Sequence, residues 1–352
     1  MTLTREDILS RLRERDENRL AELWRMADDT RRSRVGDAVH LRGLVEFSNY
    51  CRRQCAYCGI RAGNSGVTRY RMTASEVLDC VRLAESLGYG TVVLQSGEDP
   101  GISAEWLAEV IRSIKKRTAL AVTLSVGERS EKELRLWRQA GADRYLLRFE
   151  TSNPDLYRRI HPTVADGWQD RMEILRLLRR IGYEVGSGVM VGIPGQTWAI
   201  LADDILAFAG LDLDMIGVGP YIPHPATPLA CAQPAGEDQA ANDELTTLKV
   251  VALARLVCPN ANIPSTTALA TIDPKHGREL GLSRGANIVM PNVTPLKYRT
   301  LYEIYPGKAC VSETAEACSA CLRGRIAGIG RTVGAGRGDS ANKLCREGAR
   351  TE

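Results

Sequence analysis

The hydrophobic residues of this chain fall into short, strand-like runs separated by longer stretches of helical period. The short runs are rich in aliphatic and β-branched residues, which is typical of buried parallel strands. Eight strands are predicted, at Leu41–Phe47, Thr91–Gln95, Ala121–Ser125, Arg144–Phe149, Val185–Val191, Met215–Val218, Asn262–Ser265 and Asn287–Met290. Helices are predicted between most of them, at Ser75–Leu87, Ala104–Lys116, Glu131–Ala140, Gln169–Ile181 and Asp243–Val257.

Eight strands that alternate with helices predict an α/β fold, a TIM-type (β/α)8 barrel. A doubly wound open sheet is the alternative that the same pattern allows. We expect an N-terminal helical segment over residues 1–40, the barrel over 41–300 and a C-terminal extension over 301–352. The last stretch, Arg323–Arg350, is rich in Gly and Arg, and this composition predicts a loosely packed tail.

Charge and composition restrict the class of protein. The chain has 47 basic and 43 acidic side chains, and a net charge of +4 is too small to indicate a nucleic-acid partner. The N-terminus is charged throughout and lacks the apolar core of a signal peptide, and no apolar run reaches the roughly 18 residues that span a bilayer. We therefore expect a cytoplasmic protein with no membrane partner.

Three cysteines follow the first predicted strand closely, with the spacing CxxxCxxC. In a reducing cytosol such a group indicates metal ligands rather than disulfides. A structural zinc ion prefers four ligands, and the nearest histidine to this group is the distant His40. Three thiolates can bind three irons of a [4Fe–4S] cube and leave the fourth iron open to a small molecule. Cys51, Cys55 and Cys58 are therefore the predicted cluster ligands.

Other polar groups also follow predicted strands. Ser96–Glu98 comes after the second strand, Glu150 after the fourth, and Thr266 and Thr267 after the seventh. Chemistry in a barrel lies at the carboxyl ends of its strands, so these groups and the cysteines are expected at one face.

CxxxCxxC with an aromatic residue before the third cysteine is the signature of the radical S-adenosylmethionine (SAM, AdoMet) superfamily. Within it the chain resembles the HydE family of [FeFe]-hydrogenase maturases, relatives of biotin synthase and methylornithine synthase. The resemblance covers essentially the whole chain. It is carried by SNYCRRQCAYCGIR (48–61), VLQSGEDP (93–100), GADRYLLRFETSNP (141–154), GIPGQT (192–197), IGVGPYIPHPATPL (216–229), IPSTTA (263–268), GANIVMPNVTP (285–295) and YPGKAC (305–310).

The resemblance implies an enzyme whose reduced cluster splits AdoMet into methionine and a 5′-deoxyadenosyl radical. The radical would attack a sulfur-containing substrate in the barrel during assembly of the hydrogenase di-iron site. The implied partners are a small-molecule or organometallic substrate, an electron donor and other hydrogenase maturation proteins. The alternatives are a radical AdoMet amino-acid mutase or biotin synthase-like enzyme, and a non-catalytic iron–sulfur scaffold.

The resemblance also implies site residues. Ser96, Gly97 and Glu98 would receive the AdoMet amino group, Glu150 the ribose hydroxyls and Arg171 the carboxylate. The full cofactor-binding set is Tyr57, Gln95, Ser96, Gly97, Glu98, Glu150 and Arg171. The implied substrate cavity is lined by Thr123, Arg148, Thr266, Thr267, Met290, Tyr302 and Tyr305. A buried Arg148 needs an anionic partner, which is either the substrate or one of the acids Glu150 and Asp143.

A second group of cysteines, Cys310, Cys318 and Cys321, lies in the C-terminal extension. In some members of the HydE family, which the chain resembles, this pattern holds an accessory iron–sulfur cluster. The alternatives for these three cysteines are reduced, metal-free thiols or a zinc site. The remaining cysteines stand alone, and Cys80 and Cys258 are expected to be buried in or beside helices. Three isolated histidines are expected to be structural: His161, His224 and His276.

Overall fold

In the computed structural model, which describes residues 3–162, 170–232 and 236–348, eight parallel strands form one sheet. They are β1 (Ala38–Ser48), β2 (Thr91–Ser96), β3 (Ala121–Ser125), β4 (Arg144–Leu146), β5 (Glu184–Val191), β6 (Met215–Pro220), β7 (Ile288–Val289) and β8 (Thr332–Val333). The strand order is β6-β5-β4-β3-β2-β1-β7, and β8 pairs with the start of β1. From β1 to β6, strands that are consecutive in the chain are neighbours in the sheet, whereas β7 and β8 both pair with β1.

The sheet curls until its two edges meet through a short extended segment. Asn262 bridges Met215 of β6, and Pro264 bridges Ile288 of β7. The predicted strand Asn262–Ser265 is therefore present only as single bridges, because a proline cannot donate to a ladder. The closed ring confirms the barrel and excludes the open doubly wound sheet.

Helices surround the ring and cover its outer face. They are α1 (Arg5–Arg13), α2 (Glu17–Val35), α3 (Ala74–Ser86), α4 (Ala104–Arg117), α5 (Glu131–Gln139), α6 (Pro154–Ile160), α7 (Arg171–Ile181), α8 (Trp198–Gly210), α9 (Glu244–Val257), α10 (Thr267–Ile272), α11 (Gly277–Ser283), α12 (Leu296–Arg299), α13 (Ala315–Gly328) and α14 (Ala341–Gly348), with a 3-10 helix at Pro228–Cys231. None of the described helices combines the length and apolar character of a bilayer-spanning segment.

Local sequence explains where these helices begin. Thr73 and Glu76 form a capping box at the start of α3, and Ser130 and Glu133 form another at the start of α5. The N-terminal helical segment contains two helices, because Asp16 caps a second one with bonds from two backbone N–H groups. The predicted start of α7 at Gln169 lies outside the described residues.

Residues 331–340 of the C-terminal stretch are packed against the barrel, so the prediction of a loose tail is wrong for this part of it. Residues 331–340 cross the amino ends of the strands. The Arg144 guanidinium donates to the carbonyl of Arg337 at 3.1 Å and forms an ion pair with Asp339. The backbone N–H of Ser340 donates to Glu184 at 3.1 Å. These bonds join the tail to β4 and β5. The Gly and Arg residues pack through close backbone contacts and through hydrogen bonds to carbonyl oxygens, and hydropathy does not detect either kind of contact.

Gly90, just before β2, tests this packing. A Cβ atom at Gly90 would lie 1.6 Å from the backbone oxygen of Gly336. Because a backbone atom cannot rotate away, Gly90→Ala is expected to displace the tail and lower the free energy of unfolding by about 3 kcal/mol. Urea denaturation measures this. Gly324→Ala, at a helical site with nothing within 4 Å of the added atom, should leave the stability equal or up to about 1 kcal/mol higher; equal stability of both variants would contradict the packing.

Candidate active site

The three clustered cysteines lie on the loop that leaves β1 at Ser48. Their side chains line one cavity of about 270 Å³ at the carboxyl ends of the strands. The ends of the neighbouring strands contribute Ser96 from β2, Ser125 from β3 and Glu150 from the segment after β4. The geometry thus brings the cysteines and the predicted strand-end groups to one face of the barrel.

Gly97 allows the turn after β2 to lie directly against the cysteine loop. Its N–H donates to the carbonyl of Ser48 at 3.0 Å, and the next N–H, of Glu98, points at the sulfur of Cys51 at 3.4 Å. A Cβ atom at Gly97 would lie 2.2 Å from the carbonyl oxygen of Tyr50. Only glycine therefore fits this contact.

Glu98 is buried, and both of its carboxylate oxygens already have partners. Oε1 accepts from Arg52 at 2.8 Å, and Oε2 accepts from the backbone N–H of Glu128 at 2.9 Å. Arg53 lies between the two acids and forms an ion pair with each. Glu98 thus connects the cysteine loop to the end of β3, and binding of the AdoMet ammonium by this carboxylate stays a prediction.

Arg171 is buried at the start of α7 and lines the cavity. Its Nε donates to Glu128 at 2.8 Å, and its Nη1 donates to the carbonyl of Arg148 at 2.7 Å. Since the side chain is buried, it is not the solvated surface arginine that is common on helices. Glu128 and Arg53 were missed in the sequence; the position of Glu128 three residues beyond β3 is the signal that could have found it.

Glu150 follows β4 in a left-handed backbone conformation, with a φ of +65°. This conformation is costly for a residue other than glycine and is common at functional sites. The Tyr57 hydroxyl contacts Glu150 Oε1 at 3.4 Å and His161 Nε2 at 3.0 Å. His161 therefore holds the aromatic residue of the cysteine motif, a contact that its isolation in the sequence did not indicate.

Arg148 forms an ion pair with Glu150, with 3.1 Å between Nη2 and Oε2. Of the two acids considered in the sequence, Glu150 is the partner, because Asp143 instead pairs with Lys115 and Arg337. The Arg148 Nε and the Glu150 Oε2 are buried and have no hydrogen-bond partner. Both residues line the cavity.

The other predicted residues divide between the cavity and its surroundings. Gln95, Tyr302 and Tyr305 line it. Thr123 is buried deeper in the barrel, in a small void beside Arg42. Three predicted residues are absent from the cavity wall: Thr266 and Thr267 at the start of α10, and Met290 after β7. From α10, the residue that lines the cavity is Ala268.

Comparison with known proteins identifies the family. Residues 45–207 match the model of the Radical SAM superfamily. The chain is 47% identical over 331 residues to the [FeFe] hydrogenase maturase subunit HydE of Thermotoga maritima, which covers 94% of this chain and 92% of that protein. The chain is a radical SAM enzyme of the HydE family. It is also 28% identical to 3-methylornithine synthase of Methanosarcina acetivorans over 82% of this chain and 79% of that protein.

Solved structures agree with this fold. The crystal structure of methylornithine synthase (PylB) superposes with a TM-score of 0.80 at 23% identity, and the match covers 99% of this chain and 97% of that one. The radical SAM barrel that the sequence predicted is therefore confirmed.

The cysteine loop fits the [4Fe–4S] cluster that the radical SAM superfamily implies. Burial raises the pKa of Cys55 to about 12 and also raises the pKa values of Cys51 and Cys58. Metal binding therefore has to displace these protons. Within the described ranges, no three His, Cys, Asp or Glu side chains converge on a single-ion site. In a cube each thiolate binds a different iron, so its ligands stand further apart than around zinc.

None of the three predicted structural histidines is part of the cavity wall in this radical SAM enzyme. The ring of His224 packs on Gly59, where an added Cβ atom would lie 2.5 Å from it. His276 is exposed and lies 3.8 Å from Asp273. Among the described residues, neither belongs to a group that could hold a metal ion.

In the second cysteine group of this HydE-family chain, Cys310 and Cys318 are in contact. Cys318 and Cys321 lie one turn apart on α13, and Cys310 comes from the preceding loop with a φ of +62°. Contact with Cys318, and next the charge of Arg278, lowers the pKa of Cys310 below its ordinary value. Arg278 Nη2 lies 3.6 Å from the Cys310 sulfur. Cys80 and Cys258 are buried in α3 and at the end of α9, as expected.

The buried His161 gives the protein a pH-dependent stability. Burial, reinforced by the charges of Arg171 and Arg53, lowers the pKa of His161 well below its ordinary value. The unfolded chain gains its proton near pH 6.5, whereas the folded chain does not. The free energy of unfolding is therefore expected to fall as the pH drops below about 6.5, by at most about 1.4 kcal/mol per pH unit for this one group.

Urea denaturation of the cluster-free protein across this pH range measures the slope. His161→Gln should reduce it, because glutamine takes up no proton. His276→Gln, at an exposed histidine, should keep the wild-type slope. An unchanged slope in the His161 variant would show that the imidazole is already charged in the folded state.

Proposed function

We propose that this radical SAM enzyme is a HydE-type maturase that takes part in assembling the di-iron site of an [FeFe]-hydrogenase. The observation that carries the proposal is the 47% identity to a HydE protein over nearly the whole of both chains. The site supports it, because the three thiols and the polar groups Arg148, Glu150 and Arg171 line one cavity. The cluster and AdoMet, when bound, supply a 5′-deoxyadenosyl radical.

The protein's own residues would bind and orient AdoMet. Glu150 would accept bonds from the ribose hydroxyls, since it lines the cavity and its Oε1 has only a long contact of 3.4 Å with the Tyr57 hydroxyl. Arg171 would bind the carboxylate beside the cysteines. Ser96 and Gly97 would receive the amino group where the turn after β2 touches the loop. Tyr57 would form part of the wall, with His161 and Glu150 fixing its hydroxyl.

The substrate would be a small sulfur-containing molecule or organometallic complex that carries negative charge. Arg148 supports this, because its side chain is one-third exposed to the cavity and is paired only with Glu150 among the acids of the described residues. An anion could accept bonds from the N–H groups of this guanidinium that contact neither Glu150 nor the carbonyl of Val189. Tyr302 and Tyr305 would enclose the substrate, and an enclosed cavity keeps water from a radical.

Cys310, Cys318 and Cys321 would hold an accessory iron–sulfur cluster. The support is the contact between Cys310 and Cys318, with Arg278 beside them. Work in the cytoplasm, where thiols stay reduced, suits a chain whose described cysteines are all free. There an electron donor and the other maturation proteins would be its partners.

The experiment uses full-length, anaerobically reconstituted protein reduced with dithionite. We expect release of 5′-deoxyadenosine from AdoMet, and activation of an [FeFe]-hydrogenase in a maturation mixture that lacks only HydE. Failure of hydrogenase activation despite AdoMet cleavage would overturn the maturase assignment.

Turnover of lysine to a methylornithine product would instead favour the mutase, a candidate supported by the 28% identity to 3-methylornithine synthase. A biotin synthase-like role would need further cysteines in the barrel, and the described cavity wall contains only the three of the loop.

A further inference from the structure

The cysteine loop is rich in arginine and contains no acid. Residues 49–71 include five arginines and neither Asp nor Glu. Three of the five form ion pairs with acids from neighbouring strand ends: Arg52 with Glu98, Arg53 with Glu98 and Glu128, and Arg71 with Asp99. These pairs largely neutralise one side of the loop.

Arg69 is bonded differently. Its half-buried guanidinium donates only to backbone carbonyls: from Nη1 to Asn49 at 2.6 Å and Ile60 at 2.7 Å, and from Nη2 to Arg61 at 2.8 Å and Asn64 at 3.4 Å. Asn49 precedes the first cysteine of the loop, and Ile60 follows the last. One side chain therefore joins the two residues that flank the three cysteines on either side.

The charge of Arg69 has no neutralising partner within the described residues, since no carboxylate lies within ion-pair distance of it. Carbonyl oxygens satisfy the N–H groups but leave the positive charge in place. That charge lies against the backbone of Asn49, two residues before Cys51, and of Ile60, two residues after Cys58. A half-buried cation needs an anion nearby, and the group expected at this point is the cluster with its three thiolates.

We propose that Arg69 is a positioning residue for the cluster: it closes the cysteine loop, and its unneutralised charge favours the reduced, more negative form of the cluster. An added electron is attracted to a fixed positive charge, so this charge raises the reduction potential. The proposal concerns the cluster that the superfamily implies and is independent of the substrate.

Two substitutions separate the two roles. Arg69→Gln removes the charge and most of the bonds, and we expect about a tenfold lower equilibrium constant for one-electron reduction, which corresponds to about 59 mV. Arg69→Lys keeps the charge, but an ammonium group cannot span four carbonyls. Its potential should match the wild type, while its iron is lost faster to a chelator.

The measurement is an anaerobic redox titration of the reconstituted full-length protein, followed by electron paramagnetic resonance without AdoMet or substrate. Arg135→Gln, an exposed site on α5 paired with Glu131, changes the net charge equally and should leave the potential unchanged.

An unchanged potential in Arg69→Gln, or an equal drop in Arg69→Lys, would overturn the proposal. If the Gln variant holds no cluster, the Lys variant alone decides: a wild-type potential with faster iron loss supports the proposal, and a lowered potential overturns it. Because no substrate is present, this result stands apart from the hydrogenase-activation assay.

Discussion

Cys55→Ser is expected to abolish 5′-deoxyadenosine formation. Burial raises the pKa of Cys55 to about 12, and binding of a metal has to displace the proton of this thiol. A serine oxygen in the same place is a poor ligand for iron of an iron–sulfur cluster, which is held by thiolates. Removal of a residue that hydrogen-bonds to a metal ligand lowers metal affinity or activity about 10–100-fold. Loss of the ligand itself should therefore exceed about 100-fold.

The readouts are bound iron and sulfide, visible absorbance and 5′-deoxyadenosine after dithionite reduction. Cys231→Ser is the matched control, because Cys231 is exposed in the 3-10 helix outside the cavity wall. It should keep the wild-type iron content and rate. Full activity of the Cys55 variant would contradict a cluster held by this loop.

Gly97→Ala is expected to have the second-largest effect. The added Cβ atom would lie 2.2 Å from the Tyr50 carbonyl oxygen and 2.8 Å from the Cβ of Cys51. Backbone must move to admit it, and this movement displaces the first cluster ligand. A displacement of about 1 Å at a reacting centre can lower a rate about 100-fold. We expect that loss in 5′-deoxyadenosine formation, with faster loss of iron to a chelator.

Gly66→Ala provides a control in the same region, because its nearest atom, the side-chain oxygen of Asn64, lies at an ordinary 3.5 Å. The overall fold of both variants should survive, since Gly97 lies beyond the last residue of β2. Circular dichroism checks this. A Gly97→Ala protein with wild-type rate and iron content would show that the loop adapts without moving Cys51.

The barrel could be predicted because its strands are continuous apolar runs. β3 begins and ends at the predicted residues, Ala121 and Ser125. β4 ends at Leu146, three residues before the predicted end, because the chain leaves the extended conformation ahead of the left-handed Glu150. Hydrophobic periodicity carries no information on such a bend, which tertiary contacts impose.

The cysteines could be predicted as cluster ligands from their spacing, whereas the charged residues that pair beside the cysteine loop could not. Glu128 and Arg53 are ordinary polar residues in the sequence, and only the fold brings them together. The tail was predicted wrongly for a similar reason. Arg331, for example, is buried because its guanidinium donates to the carbonyls of Leu282 and Ala286, and such bonds leave no trace in composition.

Because residues 331–340 cross the amino ends of the strands, they affect how ligands enter and leave the barrel. Since residues 331–340 cross that end, we expect molecules to enter and leave at the carboxyl ends of the strands, beside the cysteine loop. A molecule bound deep in the barrel must then arrive before, and depart after, one bound near the opening. We therefore expect a last-in, first-out order, in which the products of the outer ligand leave before the inner product does.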